Sequence, residues 1–206
     1  MSKRLSKLML IANFVSVLFY SMSYPYIYAQ TCKIVPTHYI SIEQLLSCIG
    51  TIIFCLLWNK YSDKLFNHYA KIIVAETLLD VILFADVMIR NNLKFYFLLN
   101  VIICAIVTRN MVCGGTKMRA MVNPTERDRE QYDNNSNIAV SVATLLGTVT
   151  AFIYMPDFKV LCVLALIGNV SDNVLYWHIY RQIKRDDKNE GGNIYDNPEL
   201  LKGEQT

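Results

Sequence analysis

A helix needs about 20 mostly apolar residues to cross the hydrocarbon core of a bilayer. This chain supplies such a stretch six times, at 5–28, 39–58, 69–89, 95–116, 137–155 and 158–180. Polar segments at 32–36, 59–67, 90–94 and 119–135 and a Pro156-Asp157 turn separate them. Helices of a soluble bundle each carry a charged face, whereas here the charges collect between the apolar runs. Only 18% of residues are charged, against about 25% in an ordinary soluble domain. The expected fold is all-α: a six-helix transmembrane bundle over 1–183 and a polar tail over 184–206. The tail contains Gly191-Gly192 and Pro198 and shows no apolar helical face.

Lys3, Arg4 and Lys7 ahead of an apolar run resemble the start of a secretory signal peptide. The run is too long for one and Ala29-Gln30 is a poor cleavage site, so the segment is read as the first span. Of the six cysteines, five (Cys48, Cys55, Cys104, Cys113 and Cys162) fall inside apolar runs, which excludes a disulfide framework. His38, His68 and His178 are scattered and no CxxC motif occurs, so neither a metal nor a cofactor is expected.

Lys and Arg orient a membrane protein by collecting on its cytoplasmic side. With the N-terminus inside, 15 of the 20 Lys and Arg lie in cytoplasmic segments, and only Lys33, Arg90, Lys94 and Lys159 lie outside. The expectation is a plasma-membrane protein of bacterial type with both termini in the cytoplasm.

Span three carries Glu76, Asp80 and Asp86. Each ionised carboxylate near a helix centre costs about 2.5–3.5 kcal/mol on the insertion scale, while an apolar residue returns only about 0.3–0.6. Glu76 and Asp80 together therefore cost about as much as the eleven Leu, Ile, Val and Phe residues of the span return, or more, which leaves insertion marginal. The helix requires a partner. Glu76 and Asp80 are four apart and share a face, Asp86 points elsewhere near the interface, and Arg109 in span four lies at a similar depth. An intramembrane ion pair of Arg109 with Glu76 or Asp80 is expected, as a structural clamp or as part of proton coupling. Asp172 raises the same problem in span six, with Asn169, Asn173 and Tyr176 around it.

Two further helices carry polar stripes at three- and four-residue steps: Asn13, Ser16, Tyr20, Tyr24 and Tyr28 in span one, and Asn137, Ser141, Thr144 and Thr148 in span five. Ser/Thr stripes more often mediate helix packing. Asn with several Tyr more often marks a wet pathway, so Asn13, Tyr20 and Tyr24 are expected to line a cavity with Asn169 and Asn173. Pro25 is expected to kink span one near its outer end.

Between spans two and three the chain reads Asn59-Lys60-Tyr61-Ser62-Asp63-Lys64-Leu65-Phe66-Asn67-His68. This resembles the signature loop of the major facilitator superfamily, in which Gly, three residues, Asp, a basic residue, one residue, Gly and further basic residues follow the second helix. Asp63 and Lys64 match; Asn59 and Phe66 stand where the family has glycines. Arg109 ahead of Gly114-Gly115 is similar to the family's fourth-helix pattern, and Pro124-Thr125-Glu126-Arg127 to its loop between helices four and five. The resemblance implies that Asp63 and Lys64 form a gating loop and that Arg109 is a charge near a translocation path. Family members usually contain two six-helix halves, and this chain has the length of one.

The resemblance therefore implies a half-size secondary transporter that moves a small solute by alternating access, coupled to protons. It would pair with a second copy of itself, as a parallel homodimer, or with another half-size chain. The alternative is a non-transporting six-helix protein: a vitamin-importer-type binding subunit, an immunity protein or a scaffold. No HExxH, GxSxG or paired metal-binding Asp pattern occurs, so an enzyme is not expected. The expected partners are the bilayer, a solute and a protein chain, and no nucleic acid.

Overall fold

The computed structural model describes residues 2–90, 109–154 and 157–189. They form helices α1 (Ser2–Ile34), α2 (Thr37–Asn67), α3 (Tyr69–Arg90), α4 (Arg109–Val122), α5 (Glu126–Tyr154) and α6 (Phe158–Asn189). Residues 95–108 of the expected fourth span, Pro156 of the expected turn and the tail beyond 189 lie outside the described residues, as do the side chains of Asp86, Arg90 and Arg109. Among the described residues, three helices are long and apolar enough to cross a membrane: Lys3–Gln30, Glu126–Tyr154 and Phe158–Asp186.

The helices outrun the apolar stretches that announce them. Residues 59–67, expected as a loop, are helical, with one break in helical dihedrals at Tyr61 (φ −128°, ψ 25°). Packing explains the extension: Phe66 is buried, stacked on Tyr69 with ring centroids 5.9 Å apart and edge-on to Tyr180 at 5.3 Å. α1 runs through Pro25 as one continuous helix, and the break in helical dihedrals falls in α2 at Tyr61.

The expected loop 119–135 shrinks to Asn123-Pro124-Thr125. Thr125 caps α5: its hydroxyl accepts from the Asp128 amide at 3.1 Å and donates to the Asp128 carboxylate at 2.6 Å. Arg129 braces the turn, donating to the carbonyls of Asn123 at 3.1 Å and Pro124 at 3.2 Å. Counting apolar residues misses such a helix start because its first turns are polar. At the same end Tyr180 donates to the Asn67 carbonyl at 3.0 Å and Lys184 to its side-chain oxygen at 2.8 Å, docking the α2–α3 turn on α6.

α1 is the central post, packed against α5 and α6, while α3 packs against α6. Two glycines set the close approaches. A Cβ at Gly147 on α5 would lie 2.6 Å from the Leu18 carbonyl oxygen, and one at Gly168 on α6 would lie 2.5 Å from Phe19 Cβ. Two apolar clusters result. One, at the end holding the α2–α3 and α4–α5 turns, includes Leu5, Met9, Phe66, Tyr69, Met118 and Ile179. The other, toward the opposite end, is Ile27, Leu83, Phe84, Cys162 and Ala165. The outer faces of α2 and α5 expose Leu45, Ile52, Leu56, Ile138, Leu145 and Phe152. An apolar surface of that extent is stable against hydrocarbon and not against water.

Candidate functional site: a carboxyl-lined cavity between the apolar clusters

A cavity of about 840 Å³ lies inside the bundle, lined from five helices. α1 contributes Met9, Asn13, Ser16, Tyr20 and Tyr24, which recur at helical spacing along one face. α3 contributes Tyr69, Glu76 and Asp80, and α6 contributes Asn169, Asp172, Asn173 and Tyr176. Val112, Gly115, Thr116 and Arg119 of α4 and Tyr132, Asp133, Ser136 and Asn137 of α5 complete it. The structure thus brings Asn13, Tyr20, Tyr24, Glu76, Asp80, Asn169, Asp172 and Asn173 around one space.

α3 and α6 run antiparallel, and their polar residues meet in register. Asn169 is in hydrogen-bonding reach of the Asp80 carboxyl. Asn173 donates to Thr77 Oγ1 at 3.0 Å, and Thr77 donates to the Ile73 carbonyl at 2.8 Å. Glu76 lies close enough to Asp80 and Asp172 for their charges to interact, and Ser16 reaches the Asp172 carboxyl. Asp80 is 5% exposed. Glu76 Oε2 and Asp172 Oδ1 are fully buried and accept no hydrogen bond among the described residues.

One level nearer the turns, Asn13 joins three helices. Its amide nitrogen donates to Tyr132 Oη at 3.1 Å and to Ser136 Oγ at 3.3 Å, and its oxygen accepts from Tyr176 Oη at 2.9 Å. Below that, Arg119 donates to Asp133 at 2.8 Å, and its guanidinium lies 5.8 Å from the centre of the Tyr132 ring. The guanidinium in the cavity is therefore matched by a carboxylate of the cavity. Tyr20, which stacks on Tyr24 at 4.4 Å, is exposed, as are Val112, Thr116 and Asn137; these residues mark the mouth. α4 and α5 are joined by three residues yet pack on α1 more than on each other, which leaves the opening between them.

No family model, characterised protein or solved structure matches the chain.

One pair of expected site residues stands apart from the cavity. Asp63 and Lys64 lie near the end of α2, where Asp63 pairs with Lys117 of α4 in the open, its side chain 73% exposed. Arg109 lies on α4 three residues before the lining Val112, and its expected pairing with Glu76 or Asp80 falls on a side chain outside those described. Tyr69, Arg119, Tyr132, Asp133 and Ser136 were not anticipated. Tyr132 and Ser136 are four apart and share one face of α5. That spacing was visible, but the segment reads as a loop when only its polarity is weighed.

Proposed function

We propose that the chain is a six-span integral membrane protein with cytoplasmic termini. It binds a small polar solute in the carboxyl-lined cavity and carries it across the membrane as one half of a two-half transporter. The observation that carries this reading is the convergence of Glu76, Asp80 and Asp172 on one cavity, with two of their oxygens buried and unpartnered. A structural clamp would have every such oxygen satisfied, because an orphaned buried acceptor is destabilising by about 1–3 kcal/mol. Carboxyls held open to a cavity are instead available to a proton or a solute.

Proton coupling follows from the same crowding. Adjacent carboxylates in a medium of low dielectric cannot all be ionised, so protons or cations must enter to balance them. Binding a solute in the cavity and releasing a proton from Glu76, Asp80 or Asp172 are then linked events. A single bundle has no second wall to rock against, which makes a parallel homodimer or a pair with another half-size chain part of the proposal. The resemblance to the major facilitator superfamily at Asp63, Lys64 and Arg109 agrees with it.

The test is flux in proteoliposomes carrying an internal pH dye. Solute uptake should discharge an imposed pH gradient and collapse when the gradient is removed, and Asp80→Asn should move solute without that dependence. A stable monomer that moves neither solute nor protons would overturn the reading and leave a binding or accessory protein in its place.

A further inference from the structure

We infer that the cavity is built for an alkyl diammonium ion, one ammonium held between Glu76 and Asp172 and the other at Asp80. The inference rests on the cavity being a solute site and adds the chemical class of the solute. The charge inventory gives the sign. Among the described residues four carboxyl residues line the cavity, Glu76, Asp80, Asp133 and Asp172, and the Arg119 guanidinium is paired with Asp133. An anion entering this space would meet carboxyls that no described cation compensates, whereas a cation supplies a partner for them. Glu76 and Asp172 line the cavity, each with one carboxyl oxygen buried and without a hydrogen-bond donor among the described residues, and their carboxyls are the acceptors for the first ammonium.

The helical register gives the spacing. Asp80 lies four residues beyond Glu76 on the same face of α3, a displacement of about 6 Å along the axis. On antiparallel α6, Asn169 stands at the level of Asp80 and Asp172 at the level of Glu76. The carboxyls therefore form two levels, a pair and a single. Two ammonium groups on a four-carbon chain match that separation. The stacked rings of Tyr20 and Tyr24 at the mouth offer π faces to an entering cation. The volume of about 840 Å³ lies in the range of small-molecule sites, about 300–1,000 Å³, and admits the diammonium with part of its hydration.

Three probes of similar length decide it, titrated calorimetrically into the full-length protein in nanodiscs: putrescine, butylammonium and the dianion succinate. Putrescine is expected to bind at least about tenfold tighter than butylammonium, and succinate not at all. Asp80→Asn, which preserves shape, is expected to bring putrescine down to the affinity of butylammonium while leaving butylammonium unchanged. Glu76→Gln is expected to weaken both. Equal binding of putrescine and butylammonium to the wild-type protein, preference for succinate, or binding of none of the three would overturn the inference, and this ranking needs no variant to fold. Flux of an uncharged solute without ammonium binding would overturn this inference and leave the transport proposal intact. Putrescine binding without flux of any solute would do the reverse.

Discussion

The hydroxyl of Tyr176 on α6 donates to Asn13 Oδ1 on α1 at 2.9 Å, while the amide of the same Asn13 donates to Tyr132 and Ser136 on α5. One side chain thus satisfies partners on two other helices at the inner edge of the cavity. Removing it orphans a buried hydroxyl on each side. Asn13→Leu is expected to lower stability by about 1–3 kcal/mol for each group left unpaired. The double variant Asn13→Ala with Tyr176→Phe should lose less than the sum of its parts, because the second change removes the orphan that the first creates. Thermal unfolding in detergent measures both, and strict additivity would mean that the pair does not form in the bilayer.

The glycines of the bundle should differ in tolerance according to what a methyl group meets. At Gly147 it meets the Leu18 backbone carbonyl at 2.6 Å, at Gly114 the Tyr69 ring at 2.0 Å, and at Gly115 only the Tyr176 ring at 3.5 Å. A backbone cannot rotate aside. Gly147→Ala should therefore separate α5 from α1 at a cost of about 1–3 kcal/mol or more. Gly114→Ala should be rescued in part by Tyr69→Ala, and Gly115→Ala should be close to neutral. A neutral Gly147→Ala would show that α1 and α5 do not approach as described.

Much of this arrangement was legible in the sequence, because helical periodicity reports which residues share a face. Asn13, Tyr20 and Tyr24 follow one another at such steps, as do Glu76 with Asp80 and Asn169 with Asn173; each set lines the cavity. What periodicity does not report is the register between helices. That depends on contacts such as Gly147 against Leu18 and Gly168 against Phe19, which join residues more than a hundred positions apart. Polar helical turns were also lost, since hydropathy marks where lipid ends and not where the helix ends. Tyr132, Asp133 and Ser136 sit on such turns, and so does Phe66, whose burial against Tyr69 and Tyr180 turns an expected loop into helix.

The exposed pair of Asp63 with Lys117 separates a stabilising role from a gating one. An ion pair with one side chain 73% exposed contributes about 0–1 kcal/mol. Asp63→Asn should thus leave thermal unfolding nearly unchanged. If this contact holds α2 to α4 during transport, the same variant should change solute flux several-fold while the protein remains folded. A change in stability equal to the change in flux would reduce the pair to packing.

Arg109 offers a test that depends on charge alone. Breaking a buried pair by removing one partner is destabilising by about 3–5 kcal/mol, because the other charge is left uncompensated. Arg109→Ala is expected to show such a loss if the guanidinium pairs within the bundle. Combining it with Glu76→Gln or Asp80→Asn should then recover part of it. Recovery with one carboxyl and not the other names the partner, whereas additive losses with both would place the partner of Arg109 elsewhere.

The exposed face of α5 decides between one bundle and two. Asn137, Ser141, Thr144 and Thr148 recur at four-, three- and four-residue steps and are exposed, while Ala143, Gly147 and Ala151 are buried on the same helix. Gly147 packs against Leu18 and Ser21 of α1, so it is committed within the chain and is not free to admit a second copy. A seam between two chains would instead run along the hydroxyl stripe, where hydrogen bonds between helices stand in for the hydrophobic force that lipid removes. Cysteines placed singly at Ser141, Thr144 and Thr148 should therefore cross-link to the same position in a second subunit. Neighbours at Val142 and Leu146, turned away from that stripe, should not. Cys32, exposed near the end of α1, should react with impermeant thiol reagents from outside the cell, and buried Cys162 should not. Cross-linking at every α5 position alike would indicate random collision in the bilayer. Its complete absence, with a monomer by mass in nanodiscs, would remove the second wall that alternating access requires and with it the transporter reading.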